Sequence, residues 1–317
     1  MNKICVVGCG YWGKNHISTL NKLGYLGAVV DTDQSQLSKF SDKYTNIKIF
    51  TSLNNALQDK SLNAFVIASP SATHYPVARE IIKSGKHVLV EKPLALSSKD
   101  AHKLIELAKK NRVNLMVGHV LLFHPAIIKM KELIEKNKIG KLQYIYSNRL
   151  NLGQVRSEEN VFWSLAPHDI SLFQFFTESY PLDIKAFGGD FLQKGIHDST
   201  ITMIEYPNNI KSHIFVSWLH PFKEHRLVII GSEGMLTFED SKKNSPLKFY
   251  DKKFQAGEKI PEKIDGPVQE INYEKKLPLT LELEYFIDHL DGEQLKLCNG
   301  ESALDVIKIL ENASSHL

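Results

Sequence analysis

The ten residues VGCGYWGKNH place Gly8, Gly10 and Gly13 in a G-x-G-x-x-G pattern directly behind an apolar run over residues 4–7. Few local features constrain a fold as tightly. A strand that ends in such a loop and restarts as a helix fits a βαβ unit, because glycines let the chain turn sharply and let helix and strand pack closely. Further short apolar runs over residues 27–30, 64–67, 87–90 and 114–117 read as strands, and residues 13–23, 75–84 and 98–111 read as helices between them. Apolar runs without polar alternation suit strands buried on both faces. The expected fold class for this part is α/β, a doubly wound parallel sheet of the Rossmann type.

Taken alone, the glycine pattern is weak evidence, and a turn rich in glycine would satisfy it. Its setting points to a dinucleotide cradle. Gly8 would make the tight turn, Gly10 would let a pyrophosphate approach the backbone, and Gly13 would bring helix and strand together, with Tyr11 and Trp12 between them. The first N–H groups of the helix would then face the phosphates. Eighteen residues after Gly13, VVDTD places Asp31 where a carboxylate accepts hydrogen bonds from the adenosine ribose hydroxyls. An acid there repels a 2′-phosphate, and no arginine follows closely, so the expected cofactor is NAD rather than NADP.

Two loops lie at the same sheet edge, where ligands of doubly wound folds bind. ASPSATHYPVA follows the strand ending at Ile67, with Ser69 and Pro70 shaping the loop against the cofactor and His74 either an ordinary helix-entry residue or a cofactor contact. VEKPL follows the strand ending at Val90; there Pro93 disfavours helical backbone at Lys92 and holds it extended, with Glu91 beside it. A lysine partly buried over a nicotinamide can take part in proton transfer from a hydroxyl, although a lysine considered alone is more often a surface residue.

Composition excludes several other classes. The formal charge is +3, and pairs such as Lys242–Lys243 and Lys252–Lys253 sit among acids rather than in a basic stripe interleaved with aromatics, so nucleic-acid binding is not expected. A modest excess of cations suits a small anionic substrate. No run of eighteen or more apolar residues occurs and no charged and apolar leader precedes the first strand, so neither a membrane span nor a secretory signal is expected and the chain reads as cytoplasmic. Cys5, Cys9 and Cys298 are odd in number and lack metal-type spacing, which argues against disulfides and against a metal site.

Beyond Leu142 the pattern changes to alternation. QYIYSNRL, STITMIEY, SHIFVSWL, RLVIIGS and MLTFED read as strands with one buried face, PHDISLFQFF as a helix beginning near Pro167, and 240–276 as a long hairpin. From Leu279 onward, LELEYFIDHL and ALDVIKILENA read as amphipathic helices. The expected division is a cofactor domain over 1–118 and an α+β domain with a largely antiparallel open sheet over 119–317, its last helices packing back on the first domain.

The glycine fingerprint, the S-P-x-x-x-H segment and above all EKPLALS resemble the Gfo/Idh/MocA family of nicotinamide-dependent oxidoreductases, and the likeness runs the length of the chain. It implies a Rossmann-like first domain and a second domain that carries substrate and builds homodimers or homotetramers. It also implies a catalytic pair, Lys92 of E-K-P and His168 of FWSLAPHDIS, expected to face one cleft, with Asp169 following. The alternative for His168 is a structural histidine capping a helix. Two positions depart from the pattern: Ser164 stands where many sugar and inositol dehydrogenases of the family carry aspartate, and Leu122 where an arginine is common. The first counts against inositol as substrate. NRLNLGQVRSEENVFWSLAPHDIS and HIFVSWLHPFKEHRLVIIGSEGML resemble the branch that oxidises C3 of UDP-N-acetylglucosamine or its uronate, whose keto product goes to an aminotransferase for 3-amino sugars of lipid A and surface glycans.

A UDP-sugar carries a diphosphate, so cations and polar groups are needed around it. Arg149, Arg156 and Arg226, with Asn151 and Asn160, lie on or beside suitable strands, and each also has a surface reading. Trp163, Trp218 and Tyr146 either stack on sugar or base or belong to the core, and His220 with Pro221 is expected to turn near the site. The competing readings are another sugar dehydrogenase or keto-sugar reductase of the family, and a catalytically silent NAD-binding regulator. Retention of Lys92 and His168 argues against the last.

Overall fold

The computed structural model describes residues 3–41, 43–44 and 46–317. In the first part, strands and helices alternate as β1 (Lys3–Val7), α1 (Tyr11–Lys22), β2 (Leu26–Val30), α2 (Gln34–Ser41), β3 (Lys48–Phe50), α3 (Leu53–Leu57), β4 (Leu62–Ile67), α4 (His74–Lys83), β5 (His87–Glu91), α5 (Ser98–Asn111) and β6 (Leu115–Gly118). The six strands form one parallel sheet in the order β3-β2-β1-β4-β5-β6. Residues 4–7 and 64–67 are all buried, as strands covered on both faces must be. Strand order reverses between β1 and β4, so the connections leave in opposite directions and a crevice opens beyond their carboxyl ends. Ser97 starts α5 by accepting the Asp100 amide, satisfying one of the free donors of its first turn.

The rest of the chain forms α6 (Pro125–Glu135), β7 (Leu142–Leu152), α7 (Val161–Thr177), β8 (Asp183–Gly189), β9 (Ser199–Tyr206), β10 (Ile210–Ser217), β11 (Leu219–Gly231), β12 (Met235–Glu239), β13 (Leu247–Gln255) and β14 (Glu262–Glu270). Two helices follow, α8 (Pro278–Asp288) and α9 (Gly300–Ser314). The eight strands make a second sheet, β14-β13-β12-β11-β7-β10-β9-β8, antiparallel except where β7 runs beside β10. Helix α7 packs on β7, β9 and β10 and buries Phe162, Ile170 and Phe173 completely. On the opposite face Phe187, Ile201 and Met203 of neighbouring strands are exposed.

Contacts gather the chain into two compact units, one of residues 1–123 with Leu277–Lys308 and one of His124–Lys276 with Ile309–Leu317. Helix α8 packs on α1, and both belong to the first unit. Among the described residues, no helix is long and apolar enough to cross a membrane.

Two local expectations need correction. Helix α7 starts at Val161, not near Pro167, because the Asn160 side chain accepts the Trp163 amide and caps it there. Pro167 sits buried inside the helix, where its missing N–H costs a single backbone bond, to the Trp163 carbonyl. The expected turn at His220–Pro221 is an irregularity within β11: pairing with β7 breaks between Leu219 and Glu224, in the segment where Pro221 has no N–H to give a ladder.

The core under α7 sets a stability prediction. Phe173→Ala should destabilise the protein by about 3–5 kcal/mol, from lost apolar burial plus the cavity left behind. Urea unfolding of the two proteins measures the difference.

Candidate active site

The three glycines occupy three different steric situations. Gly8 has φ of +92°, and a Cβ on it would lie 2.6 Å from the Ser69 amide nitrogen. Gly13 begins the buried stripe of α1, and a Cβ there would meet the Gly8 carbonyl oxygen at 1.9 Å. Gly10 is the residue before α1, exposed, and a Cβ on it would meet nothing within 4 Å. The first two therefore lock the turn against β4 and α1, while the third leaves open space at the start of a helix whose first amides lack partners. Tyr11 and Trp12 stand exposed in that first turn, edge to face at 6.2 Å. At the end of β2, Asp31 accepts the Cys9 amide at 2.7 Å and the Asp33 amide at 2.9 Å, which holds a half-exposed carboxylate at the crevice edge. Open space at Gly10, free helix amides and a fixed acid fit a dinucleotide. Cys9 is inert beside them, since burial, then the Asp31 charge, pushes its thiol up to about 12.

The other two loops are tied together by His74. Its Nδ1 is 2.7 Å from the Pro93 carbonyl and its Nε2 is 2.9 Å from the Ser69 carbonyl. At 1 % exposure the ring is a strut between loops. Ser69 bonds Thr73 through its hydroxyl at 2.6 Å, Pro70 is exposed at the loop tip, and Pro93 follows Lys92 through a cis peptide. Lys92 itself is half-buried.

Glu91 also departs from expectation. Its carboxylate turns inward, accepting from His16 Nε2 at 2.7 Å through Oε1 and from the Lys92 amide at 3.3 Å through Oε2. Burial pushes this acid up, but the His16 hydrogen bond and the charges of His16, Lys92 and His74 together hold it below the usual carboxylate range. Two neighbours behave differently. Glu282 of α8 is fully buried, neither oxygen has a partner among the described residues, and burial followed by the Glu91 charge raises it well above its ordinary value. His119 is 3 % exposed and is lowered to about 4, first by burial and then by the Lys92 charge. Periodicity could have flagged two of these residues. His16 shares the inward stripe of α1 with Gly13, Ile17 and Leu20, and Glu282 lies among the buried positions of α8 with Leu283 and Phe286.

In the second unit the register of β7 points Arg149 toward α7, where its Nε donates to Asp169 at 2.7 Å. Asp169 is 1 % exposed and its acid is raised by burial despite Arg149. These two residues, expected at the substrate, pair with each other, because an arginine largely covered by a helix needs a carboxylate partner. His168, the preceding residue, is half-buried, and Ser164 lies one helical turn before it, also against the sheet. Trp163 donates its indole N–H to Ser314 at 2.9 Å, Trp218 is 3 % exposed in the core, and Tyr146 stacks on His213 at 4.9 Å. Arg156 stays exposed beside Glu159, Arg226 lies between Glu224 and Glu239, and Asn151 is half-buried at the end of β7. His220 packs edge-on against Phe222.

A Rossmann sheet with a glycine cradle, an acid after β2 and a lysine-bearing turn after β5 defines a nicotinamide-type oxidoreductase. Residues 2–119 match the oxidoreductase family with an NAD-binding Rossmann fold, and residues 127–237 match the GFO/IDH/MocA C-terminal domain. The chain belongs to the Gfo/Idh/MocA family and carries its NAD-binding Rossmann fold. An uncharacterized oxidoreductase of Streptococcus pneumoniae is 24% identical, covering 97% of this chain and 94% of its own. The UDP-N-acetylglucosamine 3-dehydrogenase of Acidithiobacillus ferrooxidans is 28% identical over 58% of this chain and 56% of its own. Its solved structure superposes with a TM-score of 0.86 at 22% identity, over 99% of this chain and 98% of the other. GenD2 of gentamicin A biosynthesis, solved with NAD, gives 0.81 at 21% identity over 100% and 94%.

Two outcomes follow from this geometry. Gly10→Ala should fold normally and weaken NAD binding by about tenfold or more, because the methyl enters the space the phosphates need; calorimetric titration reads the affinity and a melting curve the fold. Glu282→Gln tests the buried acid. With its folded pKa raised, native Glu282 holds a proton that the unfolded chain releases above roughly pH 4.3, so wild-type stability declines as pH rises through that window. The variant lacks this slope and should gain on wild type as pH rises above the unfolded carboxyl's range, by at most about 1.4 kcal/mol per pH unit and only until the folded acid titrates, read from urea unfolding at a series of pH values.

Proposed function

We propose that the protein oxidises the C3 hydroxyl of a UDP-N-acetylglucosamine-type sugar nucleotide, delivering a 3-keto sugar to an aminotransferase that makes a 3-amino sugar for surface glycan or lipid A. The observation that carries this reading is the likeness to the Acidithiobacillus ferrooxidans 3-dehydrogenase, found in sequence over 58% of this chain and in fold over 99% of it. NAD, when bound, supplies the two-electron acceptor.

The chain's own residues do the rest. Asp31, fixed by two backbone amides, selects NAD over NADP because a carboxylate accepts from ribose hydroxyls and repels a 2′-phosphate. Lys92, extended from the turn after β5, orients the substrate hydroxyl and stabilises the developing alkoxide charge. His168 takes the hydroxyl proton, a task suited to a side chain that titrates near neutrality, and the two residues can exchange these roles. Arg156 and Arg226 are the cations assigned to the diphosphate, with Asn151 as a polar contact. Arg149 serves indirectly, held by Asp169. Phe187, Ile201 and Met203 on the uncovered sheet face support assembly into a homodimer or homotetramer.

A second reading, a different sugar or inositol as substrate, is supported by a myo-inositol 2-dehydrogenase of Thermotoga maritima, 23% identical over 80% of each chain. Ser164 in place of an acid favours the sugar nucleotide.

NADH absorbance decides between them. With UDP-N-acetylglucosamine or its uronate, and an aminotransferase plus glutamate to draw off the product, NADH should form with one of the two substrates and NAD should outcompete NADP. Formation only with inositol would overturn the proposal. Lys92→Ala should lower kcat by about 100-fold to 10,000-fold with NAD affinity unchanged; loss of NAD binding alone would remove Lys92 from the chemistry.

A further inference from the structure

The proposed chemistry employs Lys92 but leaves unexplained the polar groups packed behind its turn: His16, His119 and Glu282, all buried. His16 joins two parts of the site that are distant in sequence. It lies on α1, the helix whose first turn opens the glycine cradle, and its ring reaches Glu91 at the end of β5. Nε2 carries the proton in this contact, since the carboxylate can only accept, while Nδ1 is buried with no partner among the described residues. The second Glu91 oxygen receives the Lys92 amide at 3.3 Å. On the far side, a Cβ at Gly118 would stand 3.1 Å from that oxygen, so β6 leaves the carboxylate little space to swing away.

We propose that His16 is a positioning residue for Lys92: by holding Glu91 it aims the carboxylate at the Lys92 amide and so fixes the turn from which the lysine side chain projects. The proposal rests on the catalytic reading of Lys92 given above. The groups facing Glu91 are consistent with one carboxylate charge behind the turn. His16 from α1, Lys92 from the turn and His74 from α4 favour its ionised form. Glu282 from α8 has no partner for either oxygen among the described residues, and burial followed by the Glu91 charge raises it well above its ordinary value. The Cys298 thiol is likewise pushed up, by burial and by Glu282, and His119 is an uncharged ring. His16 meets the requirement by donating its Nε2–H to Glu91, and so would a side chain that offers an N–H at the same reach.

The test compares His16→Asn, too short to reach Glu91, with His16→Gln, whose amide nitrogen mimics Nε2. Residue-specific hydrogen exchange is measured in the full-length protein without substrate, alongside NAD affinity and steady-state kinetics. In His16→Asn the Lys92 amide should exchange about tenfold faster, the scale of one hydrogen bond to a charged group. The Val90 amide should stay as protected as in wild type. NAD affinity and KM should hold while kcat falls about tenfold, and His16→Gln should recover most of both effects. Equal acceleration at Val90 and Lys92 would mean that His16 merely stabilises the strand, and an unchanged Lys92 amide would mean that Glu91 is held without it; either result overturns the proposal. The exchange data do not depend on which sugar is oxidised. A wild type inactive on UDP-sugars therefore counts against the functional reading, and an unaltered Lys92 amide against the role of His16.

Discussion

A hydrogen in place of a side chain at Gly13 is the constraint on which the N-terminal unit turns. Any Cβ there would overlap the Gly8 carbonyl, and α1 would have to lift off β1. The close approach starts a ring of contacts around the carboxyl edge of the sheet. Gly8 lies against Ser69, Ser69 and Pro93 are bridged by His74, and Pro93 follows Lys92 and Glu91. Glu91 then returns to α1 through His16, three residues beyond Gly13. Each loop that bears a site residue is thus braced by another, and the cradle, the E-K-P turn and the loop after β4 form one mechanical unit.

Burial separates acids of identical chemistry into different states. Glu91 and Glu282 occupy the same neighbourhood, but one has a histidine donor, a backbone amide and a nearby lysine, and the other has none of these. The first is lowered and the second raised, because a buried charge persists only where donors or counter-charges replace water. Asp169 in the second unit lies between these limits. Arg149 offsets part of its desolvation, and the pair fastens α7 to β7 next to His168.

The second unit puts this helix on one face of a sheet whose other face is left with exposed apolar side chains. Arg156 on the loop before α7 pairs with Glu159, and Arg226 on β11 lies between Glu224 and Glu239.

The parallel sheet, the glycine turn, the acid after β2, the lysine turn and the change to alternating strands were legible in the sequence by itself, because each is written in local spacing: apolar runs, a glycine pattern, a proline after a lysine. The sequence also carried the family resemblance. Only the tertiary structure decided the fate of side chains whose partners are remote in sequence. His74 became a strut, Glu91 turned to His16 across 75 residues, and Arg149 and Asp169 consumed each other's charge. Pro167 falls in the same class: a proline that usually opens a helix was carried inside one by a better cap at Asn160 and by packing on the sheet. Local pattern records what a segment prefers, whereas the pairing of buried polar groups depends on which segments meet, and no window of sequence contains both partners.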